Sequence, residues 1–132
     1  MNRDRVSELR ADYSAALARV EAALKQDPRT TDLVVDGTIQ RFEFSFELAW
    51  KLMQAILKAQ GVDASTPRAA IKEAHRAGWL PDGEGWIDML EDRNKTSHLY
   101  DEAAAKQIYE KIKRNHVFHL TAWLEQAVRL AS

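Results

Sequence analysis

Apolar residues recur every three or four positions through almost the whole chain. Val6, Leu9, Tyr13, Leu17, Val20 and Leu24 form the first stripe, and Pro28 stops it, which predicts a helix from residue 3 to about 26. A second and more apolar helix is predicted from about Thr31 to Gln60, with Ile39, Phe42, Phe46, Trp50, Met53 and Leu57 on one line. Phe44, Leu48 and Leu52 widen that line, so this helix should meet neighbours on more than one side. Gly37 weakens its first turns and Gly61 is a natural stop. Thr66-Pro67 reads as an N-cap followed by proline in the first turn, opening a short helix from Arg68 to Ala77 that ends at Gly78. WLPDGEGW is a turn-rich connector. A fourth helix should start near Asp82 and carry Trp86, Leu90, Arg93 and Ser97 on one face. The last long helix should start at Asp101, where Asp101 and Glu102 complement the N-terminal dipole, and run through Ile108, Ile112, Leu120, Trp123 and Ala127. No alternating β pattern, hairpin turn or internal repeat interrupts this reading. The expectation is an all-α fold, an up-and-down four-helix bundle with one extra short helix.

Composition narrows the function more than the fold. A chain of 132 residues suits a single helical-bundle domain over 1–132, and 45% apolar with 30% charged residues is a normal globular balance. A formal net charge of -1 argues against a long nucleic-acid tract wrapped by a basic surface, while leaving room for a local pocket for one or two phosphates. With no cysteine, disulfides and thiolate metal sites are excluded. The N-terminal MNRDRVSELR lacks the apolar core of a signal peptide, and no apolar run approaches a membrane span, so a cytoplasmic protein without a membrane partner is expected.

The stretch DRNKTSHLYDE, Asp92 to Glu102, is unusual for a helix end. At about 100° per residue, positions 86, 90, 93 and 97 fall within a roughly 60° sector, so Arg93 continues the stripe opened by Trp86 and Leu90. A guanidinium on an apolar face is costly unless it meets an anion or several acceptors. His98 lies roughly 140° from Arg93 on a continuous helix, whereas Asn94 and His98 share a face. Arg93 and His98 can therefore converge only if the helix breaks at Thr96-Ser97 or if two copies face each other across a dimer axis. The alternative from spacing alone is that Arg93 pairs with Glu43 or Glu47 while His98 caps a helix end.

Three blocks, FEFSFELAWK (Phe42 to Lys51), PRAAIKEAHRAGWL (Pro67 to Leu80) and WIDMLEDRNKTSHLYDE (Trp86 to Glu102), occur in this order. Together they resemble the nucleotidyltransferase substrate-binding protein family of the HEPN superfamily, and the similarity covers roughly residues 35 to 125. The resemblance implies a helical bundle that forms a homodimer and works with a minimal nucleotidyltransferase as its antitoxin. In the related HEPN toxins an Arg-x4-6-His motif carries metal-independent RNA cleavage, and Arg93 and His98 match it. Members paired with a nucleotidyltransferase extend the motif to Arg-x4-His-x-Tyr. Tyr100 fits that extension, which makes it the implied acceptor of AMP, a modification that silences the toxin. A non-catalytic subunit that presents a substrate to the nucleotidyltransferase is the other function the resemblance allows.

Cleavage without a metal needs a proton acceptor at the ribose 2′-OH, a donor at the leaving oxygen and positive charge on the phosphate. Histidine exchanges protons near neutral pH, and the forked donors of arginine suit a phosphate. These roles fall to His98 and Arg93, with Asn94 orienting His98 or the ribose and Lys95 as a peripheral phosphate contact. No cofactor is expected. Glu43, Glu47 and Lys51 repeat at i, i+4, i+8 and form either a solvated salt-bridged face or a support for Arg93. His116 and His119 could share a metal, but no third ligand is evident, and solvated or capping roles are expected instead. Gly83-Glu84-Gly85 lacks the preceding strand and the lysine of a phosphate loop, and reads as a turn.

Overall fold

Four helices open on a side chain that accepts from a free backbone amide of the first turn. The computed structural model describes residues 2–98 and 101–131. Helix α1 spans Asn2–Leu24 and α2 spans Asp32–Ala59, with Thr31 as the N-cap of α2 accepting from the Leu33 amide. Helix α3, Pro67–Arg76, is capped by Thr66, whose hydroxyl accepts from the Ala69 amide at 3.1 Å. Helix α4, Gly83–Lys95, is capped by Asp82 through the Gly85 amide at 2.9 Å. Helix α5, Glu102–Lys111, is capped by Asp101 through the Ala104 amide at 2.7 Å. Gly61 and Gly78 both take positive φ, 83° and 84°, at the ends of α2 and α3. Beside each, an amide returns to a carbonyl of the last turn, Val62 N–H to Leu57 O at 2.9 Å and Trp79 N–H to Ala74 O at 3.0 Å. This is the left-handed helix stop that glycine adopts without strain.

The fold is the expected all-α bundle, four long helical segments plus the short α3, with no strand among the described residues. Helix α1 lies along α2; α2 also packs on α3 and α5, and a final helix α6, Val117–Ala131, closes against α1. The stripe of α2 is the centre of the core, where Phe42, Phe46 and Met53 meet Tyr13 and Leu17 of α1, Trp86 of α4 and Trp123 of α6. The polar edges of two buried aromatics are satisfied across the bundle. Trp123 donates its indole N–H to Ala49 O at 3.1 Å and stacks on Trp79 with centroids 5.9 Å apart, while the buried Tyr13 hydroxyl donates to Leu120 O. No helix of the described residues is long and apolar enough to cross a membrane.

Three features depart from the sequence reading. The last helix is not one regular helix: a π-helical turn, Ile112–His116, joins α5 to α6. Its flanks keep their inward faces, so the apolar stripe gives no sign of it. Phe44, expected to widen the buried face of α2, is 64% exposed beside a hollow between α1 and α2. Gly83 and Gly85 lie in the first turn of α4 rather than in a loop. A Cβ at Gly83 would meet the His75 ring at 3.0 Å, and one at Gly85 would meet His119 Nε2 at 2.5 Å. The glycines thus make room for two histidines.

Candidate functional site

The unusual stretch sits where α4 ends. α-Helical geometry stops at Lys95 and the chain tightens into a 3-10 turn over Thr96–His98, so the helix breaks near Thr96-Ser97, one of the two conditions under which Arg93 and His98 could converge. The turn is held by local bonds: the Thr96 hydroxyl donates to Arg93 O at 2.6 Å and the Ser97 hydroxyl to Asn94 O at 3.4 Å. Arg93 is half-buried, whereas Asn94, Lys95 and His98 are exposed. Tyr100 lies outside the described residues.

The alternative partnership for Arg93 does not form. Among the described residues Arg93 makes no ion pair with Glu43 or Glu47, and Glu47 instead reaches Lys51 one turn along its own helix at 3.5 Å. Arg93 therefore sits at the edge of the core with its guanidinium unclaimed by a carboxylate of the described residues.

The buried charge belongs to the residue before Arg93. Asp92 is 1% exposed, and a single oxygen, Oδ2, receives both Lys111 Nζ and His116 Nε2 at 2.7 Å. Lys111 Nζ also lies 3.0 Å from Asp88 Oδ1, and Lys95 Nζ lies 4.0 Å from Asp92 Oδ1. The π turn makes this convergence. On a regular helix residues five apart diverge by roughly 140°, but i→i+5 geometry stacks them, and Lys111 and His116 are five apart across that turn. Burial pushes the Asp92 carboxyl up, yet the hydrogen bonds from His116 and Lys111 and the ammonium charge outweigh it and hold the group below the ordinary aspartate value. Burial likewise lowers Lys111, and its bonds to Asp92 and Asp88 more than reverse that, so its ammonium is held above the ordinary lysine value.

His116 is fully buried and stacks on Phe42 with centroids 5.5 Å apart, which corrects the expectation of a solvated or capping histidine. The ionised Asp92 can only accept, so Nε2 carries the proton; Nδ1 is buried without a partner among the described residues. The pairing of His116 with His119 does not form either. His119 points to Asp82 at 3.9 Å, at the opposite end of α4 from Asp92. The sequence did hold one sign of the Asp92 centre: Asp88 and Asp92 are one turn apart on α4, a repulsive pair that calls for a cation.

A hollow of about 360 Å³ borders Thr96 between the starts of α2 and α5. Asp32, Asp36, Asp101 and Glu102 line it against a single Lys106, so a phosphate is repelled there. An anion that meets Arg93 and Lys95 does so outside this hollow.

Residues 9–129 match the family model described as nucleotidyltransferase substrate binding protein like. The chain belongs to this family. The chain is 34% identical over 86 residues to a Haemophilus influenzae protein named probable ribonuclease HepT, an alignment covering 61% of this chain and 59% of that relative. The chain thus spans under two thirds of the length of that curated relative. A crystal structure of a Thermus thermophilus protein superposes with a TM-score of 0.75 at 31% identity, over 89% of this chain and 98% of that one. A Haemophilus influenzae structure, described as revealing the fold of a substrate binding domain of a nucleotidyltransferase, gives a TM-score of 0.67 at 25% identity over 96% and 98%. Membership in the nucleotidyltransferase substrate-binding family accounts for the all-α bundle and for the order of the three sequence blocks.

Proposed function

We propose that this protein is the toxin half of a HEPN and minimal-nucleotidyltransferase pair, a homodimeric ribonuclease that cleaves RNA without a metal. The observation that carries the reading is the state of Arg93: half-buried, without a carboxylate partner among the described residues, and five residues before an exposed His98 on a tightened turn. The name of the Haemophilus influenzae relative, probable ribonuclease, supports it. In the proposed chemistry the ribose 2′-oxygen attacks the adjacent phosphorus and gives up its proton to one imidazole. The 5′-oxygen leaves with a proton from solvent, producing a 2′,3′-cyclic phosphate and a 5′-hydroxyl. A two-fold dimer forms two such sites, each with Arg93 from one chain and His98 from the other. Arg93 binds the non-bridging oxygens and stabilises their charge as the bond breaks. Asn94 orients His98 or the ribose, and Lys95 steadies a neighbouring phosphate.

Wild-type protein is expected to cleave single-stranded RNA in EDTA, and Arg93→Ala to lower the rate by about 10²–10³-fold, the usual loss for a transition-state charge donor. Equal rates for the two proteins on a gel-based cleavage assay would remove the role of Arg93.

Tyr100 is the proposed acceptor of an AMP group transferred from ATP by the partner nucleotidyltransferase, with loss of pyrophosphate. Intact-mass measurement after incubation with that enzyme and ATP should show one nucleotidyl addition on the wild type and none on Tyr100→Phe. An unchanged wild-type mass contradicts this form of control.

The second reading is a non-catalytic subunit that presents a substrate to a nucleotidyltransferase. The description of the family and of the second solved structure favours it. It predicts no Arg93-dependent cleavage and no His98-dependent growth arrest on overexpression.

A further inference from the structure

One set of polar contacts among the described residues ties the stretch from Asp92 to His98 to another helix. Among the described residues, the hydrogen bonds and ion pairs made within Arg93–His98 stay inside α4 and its 3-10 turn. The polar contacts that leave this stretch for another element belong to Asp92, and they end on Lys111 and His116 across the π turn. Local bonds can shape a turn but cannot aim it relative to a neighbouring helix. Two donors converging at 2.7 Å on one carboxylate oxygen can, because a charge-assisted bond fixes direction as well as distance. An apolar contact in the same place would tolerate sliding.

The chemistry of the cluster is that of a cation site. Oxygens of Asp88 and Asp92 and a ring nitrogen of His116 lie within 4.8 Å of one another, a set that a zinc ion could bridge. Here the ammonium of Lys111 stands among them, 3.0 Å from Asp88 and 2.7 Å from Asp92. We propose that Lys111 serves as a built-in cation, and that Asp92, Lys111 and His116 act together as positioning residues that aim the Arg93–His98 turn. That these residues aim a working end rests on the ribonuclease reading; the positioning itself does not.

The test follows backbone amide resonances of residues 93–98 by NMR, beside thermal melts, with zinc chloride as the probe. Lys111→Met keeps the packed stem and removes the charge. Lys111→Ala opens the space for an ion. Both variants should melt roughly 5–10 °C below wild type and show shifted or broadened 93–98 amides, while core amides such as those of Leu52 and Met53 keep their positions. Zinc should return the Lys111→Ala amides toward wild type and raise its melting temperature. It should do neither in Lys111→Ala/His116→Ala, nor in the wild type, where the ammonium holds the site. Amides of 93–98 that stay at wild-type positions in Lys111→Met would overturn the positioning role, and shifts in Lys111→Ala that zinc fails to reverse would overturn the built-in cation. RNA cleavage is read separately. A wild type that does not cleave sinks the ribonuclease reading and leaves the amide result to decide the positioning; a wild type that cleaves should lose kcat more than KM in Lys111→Met.

Discussion

His98→Ala should slow RNA cleavage by about 10²–10⁴-fold and leave the fold unchanged, the range expected for removing a positioned proton-transfer group. The two halves of that outcome have separate causes. His98 is exposed, on a 3-10 turn whose described bonds come from Thr96 and Ser97, so its removal opens no cavity and strands no buried donor. A melting temperature within about 1–2 °C of wild type is therefore expected, since surface changes of this kind usually stay within about 0.5 kcal/mol. The loss in rate falls on proton transfer, which the neutral amide of Asn94 cannot supply. Quenched-time-course cleavage of a labelled RNA, with circular dichroism melts on the same preparations, reads both. A variant that melts with the wild type and cleaves as fast would assign the chemistry elsewhere.

Asp92→Asn should lower stability by about 2–4 kcal/mol at pH 7, measured by urea denaturation. The amide is nearly the same size but carries no charge. It removes the carboxylate charge from both bonds, leaving the Lys111 ammonium on a neutral acceptor and the fully buried His116 with a weakened partner. Lys111 is one-third exposed, so its share is moderated by water and the loss sits below that of a fully buried pair. The pH dependence has a definite sign. The Asp92 carboxyl is held below its ordinary value of 3.8, so its contribution is complete above that value and vanishes as pH falls through the lower folded value. Lys111 is held above its ordinary value of 10.5, so its contribution is complete below that value and is lost as pH climbs through the higher folded one. The gap between wild type and variant should thus be widest between about pH 4 and 10 and close in stronger acid. A gap that stays constant down to about pH 2 would mean that the carboxylate charge is not what the variant lost.

The helices were legible because their signals are local. Thr66-Pro67, Asp82 and Asp101 act within three residues of themselves, and Gly61 and Gly78 stop helices by a backbone conformation that needs no partner. The core line of α2 from Ile39 to Leu57 follows from period alone. What escaped depends on juxtaposition. The α4 periodicity put Arg93 on the stripe and said nothing of Asp92, because the spacing of apolar positions does not show that Lys111 and His116 of the π turn meet it. Lys111 and His116, five residues apart, look unrelated until i→i+5 geometry stacks them. Phe44 belongs to an apolar pattern, yet it stands exposed beside the hollow between α1 and α2, a juxtaposition that period does not encode. Arg93 and His98 were singled out by the resemblance of three blocks, and periodicity alone would have left them as a salt bridge and a cap.

The most direct measurement of the central claim, that guanidinium and imidazole work together across a two-fold axis, uses two inactive variants. Arg93→Ala and His98→Ala are each purified, mixed in equal amounts, allowed to exchange subunits and assayed on RNA. Random exchange makes about half of the dimers mixed, and each mixed dimer holds one site with an intact arginine from one chain and an intact histidine from the other, so about a quarter of the wild-type rate should return. A mixture that exchanges subunits and remains as inactive as its parents would contradict a site shared between chains.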